Sequence, residues 1–268
     1  MTSDQVEYQR SYYDSHFPKR AAVTADQLAH PLFRSFYDRL AALVVQRGTA
    51  GRHLGSPERP LRFLEVACGE GLLGAAVHRL AGERGLTLAY TGTDLSQGAL
   101  DLARPSVTGE LLAGDAVEVV AGLEPGSQDV AVVKNLLHHL DDPASLMAAA
   151  GRAVGPEGRV VVVEACLGAP QFWAFTLLAP RRERYFFLGR RRNLAAIAAG
   201  GMDVVATERF SWLPYELAFA IRFDWFRRLL ATDDPDRIGS VTRLDEALTR
   251  RLGPLASYIV WTTAPRAP

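Results

Sequence analysis

The sequence is poor in cysteine and in long apolar runs. Its 268 residues contain two cysteines, Cys68 and Cys166, which on their own form neither a disulfide framework nor a zinc site. The longest apolar runs, such as residues 160–163, are far shorter than the roughly 20 residues that a membrane span needs. The first ten residues are polar and lack an apolar signal core. These absences favour a soluble protein of the reducing cytoplasm, without stable membrane insertion.

An excess of charge of either sign is also missing. Thirty Lys and Arg residues balance thirty Asp and Glu residues, so no global field attracts nucleic acid or an anionic membrane. Only Lys19 and Lys134 are lysines, an arginine bias typical of a GC-rich genome. Apolar residues make up 48% of the chain and charged residues 22%, an ordinary globular composition. A chain of this length predicts one large α/β domain, or a core domain with an additional cap.

Residues 61–166 alternate regularly between short apolar strands and helices. The strands of the whole chain are predicted at 61–67, 86–93, 111–113, 129–134, 159–164, 202–210 and 257–263. The fourth and fifth are almost continuous valine runs, as expected of parallel strands buried on both faces. The pattern predicts a doubly wound, mostly parallel, seven-stranded α/β sheet that binds ligands at the carboxyl ends of its strands.

Aromatic residues are scarce in this region and concentrated outside it. Residues 51–169 contain two of the 24 aromatic residues, whereas residues 170–226 contain thirteen and the first 37 residues contain seven. Two interpretations stay open: peripheral helices pack on the sheet, or an aromatic lid encloses an apolar or planar substrate. We expect a helical lid segment and connector over 1–60, followed by the sheet domain over 61–268. Cap insertions are expected at about 167–200 and 211–254.

The most informative motif is the glycine-rich stretch that follows the first predicted strand. Glycines there let the backbone approach a ligand, and the next helix directs its N–H groups toward that ligand. Gly69-x-Gly71-x-x-Gly74 matches the dinucleotide fingerprint, and Asp94 lies twenty residues later. Against this interpretation, Glu65 lies within the strand, where a dehydrogenase normally has apolar residues. The two lysines also exclude a Tyr-x-x-x-Lys catalytic pair.

The same stretch and three later motifs resemble the class I, Rossmann-like methyltransferases that use S-adenosylmethionine, in their small-molecule branch. The matching motifs are Glu65-x-Ala67-x-Gly69-x-Gly71, Thr93-Asp94-Leu95-Ser96, Gly114-Asp115-Ala116 and Asn135-Leu-Leu-His138-His139-Leu-Asp-Asp-Pro143. Ala67 replaces the first glycine of the family pattern. The resemblance covers most of residues 60–166, and four motifs in the right order are more specific than one glycine pattern. It implies a Rossmann-like sheet with helical, aromatic-rich cap segments.

The resemblance also implies a set of cofactor-binding residues. In that family the acid after strand two binds the ribose hydroxyls and the acid after strand three binds the adenine amine, roles that fall to Asp94 and Asp115. The expected S-adenosyl-L-methionine site comprises Glu65, Ala67, Cys68, Gly69, Gly71, Asp94, Leu95, Asp115, Ala116 and Asn135. Taken singly, Asp94, Ser96 and Asp115 are also explained as helix caps. Cys68 is also explained as a small buried side chain.

His138 and His139 are the candidate catalytic residues. Methyl transfer is an in-line displacement that depends on alignment, and it needs a general base only when the acceptor must lose a proton. Histidine accepts a proton near neutral pH. Consecutive helical side chains diverge by about 100°, so one of the two is expected to face the acceptor. We favour His138 as the base and assign His139 to holding the loop, with His16 as a weaker alternative.

An arginine-rich segment lies beside the aromatic residues of the second half. Its members are Arg181, Arg182, Arg184, Arg190, Arg191 and Arg192. They form a solvated face, or one of them binds a carboxylate or phosphate of the substrate. The apolar segment 213–230 is interpreted, in decreasing order of preference, as a lid helix, a dimer seam or a membrane-surface helix.

The predicted function is methyl transfer from S-adenosylmethionine to a small apolar or aromatic metabolite, with O-methylation slightly favoured and a homodimer left open. Nucleic acid is not expected as a partner, because the strand-four loop lacks the Asn/Asp-Pro-Pro-aromatic pattern of base-amino methylases. The paired-glutamate loop of the arginine-modifying protein methyltransferases is also missing. A protein of this fold that binds the cofactor without methyl transfer, such as a cyclase or a regulatory subunit, is the main alternative. An NAD-binding oxidoreductase is the weaker one.

Overall fold

The computed structural model describes residues 29–49, 51–166, 189–213 and 234–266, together with residues 11, 25, 215 and 232. At its centre is a seven-stranded sheet of order β3-β2-β1-β4-β5-β7-β6. The strands are β1 (Leu61–Val66), β2 (Leu88–Asp94), β3 (Glu110–Ala113), β4 (Val130–Lys134), β5 (Arg159–Ala165), β6 (Met202–Phe210) and β7 (Tyr258–Pro265). The first five are parallel, and β7 runs antiparallel to both β5 and β6. The predicted mostly parallel α/β sheet is confirmed.

Helices cover both faces of this sheet. They are α1 (Pro31–Thr49), α2 (Leu72–Arg84), α3 (Gln97–Ala103), α4 (Ala116–Gly122), α5 (Pro143–Val154), α6 (Gly189–Ala199) and α7 (Pro235–Arg251). Two 3-10 turns, Leu137–His139 and Gly253–Leu255, precede α5 and β7. Among the helices that the structure describes, none is long and apolar enough to cross a membrane.

Alternate residues of the buried strands pack into two separate cores, one on each face of the sheet. In β5, Val161 and Val163 belong to the core that includes residues of α1 and α2. Their neighbours Val160 and Val162 belong to the core that includes residues of α5 and α6. All four side chains are fully buried, and burying a valine contributes roughly 1.5–3 kcal/mol. A strand covered on both faces has no polar side, which explains the continuous valine run.

Helix α1 places aromatic rings in the first of these cores. The ring of Phe36 lies 5.3 Å from the ring of Phe210 and 5.7 Å from that of Tyr258. Phe33 and Tyr37 pack against each other with their centroids 5.1 Å apart. For these rings the structure shows packing on the sheet. The lid was expected at residues 12–17 and 170–230. Of these, 12–17, 170–188, 214 and 216–230 lie outside the described residues, as does the base candidate His16.

A buried carboxylate in α7 connects α1 to the end of β6. Asp245 is fully buried and accepts hydrogen bonds from Nη2 of Arg39 at 2.7 Å and from Oγ of Ser211 at 3.0 Å. It also accepts the amides of Trp212 and Leu213, each at 2.8 Å. A buried charge is tolerated only when such donors surround it. The positions of α1 and α7 relative to residues 211–213 are therefore coupled.

Gly74 marks the point where α2 approaches the sheet most closely. A Cβ at this position would lie 2.6 Å from the Tyr90 hydroxyl oxygen and 2.9 Å from Cγ1 of Val107. Real Cβ contacts are longer than this, so only glycine fits without displacement of the tyrosine. The third glycine of the GxGxxG pattern is thus explained by helix packing, a requirement that does not depend on which cofactor binds.

We expect Gly74→Ala to destabilise the fold by about 1–3 kcal/mol, because the added methyl group overpacks the contact with Tyr90. The matched control is Gly82→Ala in the same helix, where no described atom lies within 4 Å of the added Cβ. That substitution should be neutral or stabilise by up to about 1 kcal/mol, because alanine favours helix. Urea unfolding of the three proteins measures both effects. Equal stabilities for the two variants would contradict the packing explanation.

Candidate cofactor and acceptor site

The carboxyl ends of the parallel strands form the edge at which the sequence motifs come together. Strand β1 lies between β2 and β4, so the order of the strands reverses there. Val66 near the end of β1 pairs with Thr93 of β2 and with Val133 of β4. In open α/β sheets, ligands bind at such a reversal point. The four predicted motifs follow β1, β2, β3 and β4 and therefore lie along one edge.

The loop after β1 has a backbone shape that exposes one of its glycines. Ala67, Gly69 and Gly71 adopt left-handed conformations, with φ values of 55°, 54° and 74°. No described atom lies within 4 Å of the position that a Cβ would take on Gly69, so the backbone there borders open space. At Gly71 a Cβ would lie 2.8 Å from the Cβ of Ala103 in α3. Gly71 thus packs the loop onto α3, and Gly69 leaves room for a ligand.

Asp94, at the end of β2, connects this loop to the neighbouring strand. Its Oδ2 accepts the amide of Gly69 at 2.8 Å, and its Oδ1 accepts the amide of Ser96 at 2.9 Å. A carboxylate offers about four acceptor positions, enough for these amides and for the hydroxyls of a sugar. Asp94 and Leu95 are both half-buried at the edge. The geometry fits the role that the family resemblance implies for Asp94.

Asp115 caps helix α4. Its Oδ1 accepts the amides of Val117 at 2.9 Å and of Glu118 at 3.3 Å, as the capping interpretation expected. Among the described residues, none donates a hydrogen bond to Oδ2, and the side chain is half-buried beside Ala116. Oδ1 therefore caps the helix, and Oδ2 has no donor among the described residues. Contact of Oδ2 with an adenine amine stays a prediction.

Glu65 is buried, and its carboxylate accepts a hydrogen bond from the hydroxyl of Tyr90 at 2.7 Å. Burial raises the pKa of Glu65 to about 7, although hydrogen bonds from Tyr90 and the Gly74 backbone and the charge of Lys134 act in the opposite direction. Cys68 is buried as well, and burial raises the pKa of its thiol. A thiol in such a setting is unreactive. Direct contact of Glu65 or Cys68 with the cofactor stays a prediction.

Glu164, near the end of β5, organises the loop after β4. Its Oε1 accepts the amides of Leu136 at 3.0 Å and of Leu137 at 2.8 Å. Its Oε2 lies 2.6 Å from Nδ1 of His138, and the two side chains are 2% and 3% exposed. The carboxylate favours the tautomer with the proton on Nδ1, which makes Nε2 the accepting nitrogen. The contact with Glu164 fixes the orientation of the His138 ring, and its action as a general base stays a prediction.

The remaining loop residues shape the same turn. Asn135 has a left-handed backbone conformation with φ of 50°, which asparagine tolerates. Its backbone N–H donates to the carbonyl oxygen of Val163 at 2.8 Å. The ring centroids of His138 and His139 lie 4.1 Å apart, so the two rings are in contact. The expectation was that the two side chains would diverge by about 100°. Burial and the neighbouring His138 lower the pKa of His139 to about 3. His139 is therefore neutral at pH 7.

Arg192 in α6 contacts the far end of this loop. Its Nη2 donates to the carbonyl oxygens of Leu140 and Asp141. Arg190 and Arg191 are exposed, as a solvated face requires, whereas Arg192 binds loop backbone, a role that neither interpretation of the cluster included. The other three arginines of the cluster, at 181, 182 and 184, lie outside the described residues.

Glu164 was not among the predicted site residues. The signal in the sequence is an acidic residue that directly follows the valine run 160–163, at the carboxyl end of a buried strand. Lys134 at the end of β4 was also missed, and its Nζ lies 5.5 Å from the ring centroid of Tyr37. Both residues are charged side chains at the edge where ligands bind.

Comparison with known proteins identifies the family. A family model described as a methyltransferase domain matches residues 64–162. A ubiquinone biosynthesis O-methyltransferase from Ralstonia nicotianae is 35% identical over 191 residues, which cover 65% of this chain and 77% of that protein. The chain belongs to the S-adenosylmethionine-dependent methyltransferases. This methyltransferase membership confirms the resemblance and favours S-adenosylmethionine over a dinucleotide as the cofactor.

Other known proteins match this chain over a shorter stretch or at lower sequence identity. A ubiquinone biosynthesis O-methyltransferase from Thiobacillus denitrificans is 37% identical over 106 residues, and the match spans 37% of this chain and 42% of that relative. The magnesium protoporphyrin IX methyltransferase from Synechocystis PCC 6803, solved with bound SAH, is 12% identical with a TM-score of 0.57. That comparison covers 97% of this chain and 99% of the other, and it shows a shared fold.

We expect Glu65→Gln to change how stability depends on pH. The folded state holds the proton of Glu65 with a pKa of about 7, against an ordinary value of 4.5 for the unfolded chain. The stabilising contribution of the protonated carboxyl is complete below pH 4.5 and is lost as pH rises through about 7. It amounts to about 3 kcal/mol. Urea unfolding of both proteins across this window should show the wild type losing stability relative to the variant. A difference that is independent of pH would contradict this account of Glu65.

Proposed function

We propose that this methyltransferase transfers the methyl group of S-adenosyl-L-methionine to a hydroxyl group of a small apolar or aromatic acceptor. The observation that carries the proposal is the pairing of His138 with Glu164 at the edge where the cofactor motifs meet. The names of the relatives, which are O-methyltransferases, support the same chemistry. The homodimer that the sequence leaves open stays a prediction.

The residues at the edge fit a cofactor that contains adenosine. The proposal assigns the ribose hydroxyls to Asp94 and the adenine amine to Oδ2 of Asp115. The methionine part would lie against the open backbone at Gly69. When bound, S-adenosylmethionine supplies a methyl group on a sulfonium, whose carbon–sulfur bond breaks with its electron pair on sulfur as the acceptor oxygen bonds the carbon.

In the proposed mechanism, Nε2 of His138 takes the proton that the acceptor hydroxyl loses. Glu164 keeps the hydrogen bond to Nδ1 and stabilises the imidazolium that forms. Because the same carboxylate accepts the amides of Leu136 and Leu137, the loop and the ring are held as one unit. A base of this kind contributes roughly 10²–10⁴-fold to a rate, and the rest comes from alignment.

Cofactor binding is the first test. Asp94→Ala should weaken the binding of S-adenosylhomocysteine about tenfold or more in a calorimetric titration, because hydrogen bonds to a charged group are lost. Asp101→Ala removes the same charge from an exposed side chain of α3, where Asp101 pairs with Arg104, and should leave the affinity unchanged. Binding of NADH without binding of S-adenosylhomocysteine would contradict the proposal.

The base is the second test, measured as the transfer of labelled methyl groups from the cofactor to phenols in a metabolite extract. His138→Ala should lower turnover at least about tenfold and leave the affinity for S-adenosylhomocysteine nearly intact. Glu164→Gln should lower turnover in the same direction, because the ring loses its charged partner. His139→Ala should instead reduce stability, since this ring packs against His138.

Equal turnover of wild type and His138→Ala between pH 6 and pH 9 would show that alignment alone carries the reaction. Intact binding of S-adenosylhomocysteine without labelled product from any extract would instead indicate a protein that binds the cofactor without methyl transfer.

A further inference from the structure

A separate cavity lies between α1 and α7, bounded by the ends of β6 and α2. Its volume is about 640 Å³, within the range of sites for small molecules. None of the residues assigned to the cofactor or to catalysis lines it. The cavity therefore belongs to a part of the molecule that methyl transfer, as proposed above, does not use.

The lining of this cavity is strongly basic. Arg39 of α1, Arg84 of α2, Arg209 of β6 and Arg250 of α7 contribute four guanidinium groups, against a single carboxylate from Glu246. The four arginines come from four different elements and meet only in the folded chain. Positive charges gathered in a concave surface attract anions more strongly than the same charges spread over a flat one.

Within the described ranges, one of the four arginines forms an ion pair. Arg39 is paired with Asp245 at 2.7 Å and lies 3.9 Å from Glu246. Within the part of the chain that the structure describes, no carboxylate lies within ion-pair distance of Arg84, Arg209 or Arg250. Nη1 of Arg209 donates to the sulfur of Cys166 at 3.0 Å. Among the described residues, three of the four guanidinium groups of the cavity therefore form no ion pair, and Glu246 is the carboxylate that lines it.

Two further carboxylates are sequence neighbours of lining residues, and each already has an arginine partner. Glu208, the neighbour of Arg209 in β6, forms an ion pair with Arg47 of α1. Asp245, the neighbour of Glu246, is saturated by Arg39, Ser211 and two backbone amides. Neither carboxylate pairs with Arg84, Arg209 or Arg250 among the described residues.

The cavity also has an apolar side. Ala42 and Leu43 of α1 line it together with Phe210, and the guanidinium of Arg39 lies 5.6 Å from the ring centroid of Phe210. Guanidinium groups bind phosphate oxygens in pairs of parallel hydrogen bonds. We propose that this cavity binds a small organic phosphate, with the phosphate on the arginines and a small apolar part against α1. The net charge of the chain is zero, so the basic character is local, which favours a small anion over a nucleic acid.

The test uses phenyl phosphate as the probe, with inorganic phosphate as the probe without an apolar part. Calorimetric titrations are made at low ionic strength on the full chain saturated with S-adenosylhomocysteine. We expect saturable binding of phenyl phosphate, tighter than that of inorganic phosphate. The double variant Arg209→Gln, Arg250→Gln should bind phenyl phosphate about tenfold or more weakly, because two phosphate contacts are removed.

A matched double variant controls for total charge. Arg104→Gln with Arg266→Gln removes two positive charges from exposed arginines that pair with Asp101 and Asp203 and do not line the cavity. Its affinity for phenyl phosphate should stay within about twofold of the wild type, because only the total charge has changed. The single variant Arg250→Gln changes an exposed helical residue, so it tests the site even if replacement of Arg209 impairs folding.

The proposal would be overturned by no saturable binding by the wild type, by equal loss of binding in both double variants, or by competition between phenyl phosphate and S-adenosylhomocysteine. Tighter binding of a hexaglutamate peptide than of phenyl phosphate, lost in the Arg209, Arg250 variant, would overturn it in favour of an acidic protein partner. Binding of phenyl phosphate by a chain that fails to bind S-adenosylhomocysteine would support the cavity and reject the proposed methyl transfer. The two proposals therefore fail in distinguishable ways.

Discussion

The arrangement of the candidate site depends on the buried carboxylate of Glu164. A charge that is 2% exposed is stable only when hydrogen bonds replace the water that it has lost. Two backbone amides and the His138 ring supply these bonds, and all of them come from one loop. A loop conformation that breaks one of them leaves a poorly solvated charge, so alternative conformations are costly. The loop is held by the sheet, because β5 determines where Glu164 lies.

The same arrangement recurs at β2, which is separated from β5 by β1 and β4. Asp94 at the end of β2 accepts an amide of the glycine loop that follows β1. In both cases a carboxylate on one strand accepts hydrogen bonds from backbone N–H groups of the loop that follows a different strand. The bonded residues are 25 and 28 positions apart in the sequence. Backbone groups that a ligand would otherwise have to order are thus already in place, which is the basis of preorganised binding. The conformational entropy of these loops is lost on folding, so it does not have to be lost again when a ligand binds.

The elements of the sheet were predictable from the sequence, whereas the contacts within the site were not. Buried parallel strands are apolar on both faces, so the valine runs of β4 and β5 are visible without a structure. The role of Glu164 depends on β5 lying beside β4, which only the tertiary fold establishes. For Asp115 the sequence does not separate two roles, because an aspartate at this position suits both a helix cap and a ligand contact. Nor does sequence spacing place Arg192 against a loop 51 residues away.

The link between α6 and the strand-four loop has an evolutionary consequence. Arg192 binds carbonyl oxygens of the backbone, not the side chains of Leu140 and Asp141. Every amino acid carries such an oxygen, so exposed Asp141 can be exchanged without loss of the contact, whereas the side chain of Leu140 is also held in the core. The arginine has no comparable freedom, since few other side chains reach two carbonyls at once. Substitutions should therefore be tolerated at position 141, while position 192 accepts little change.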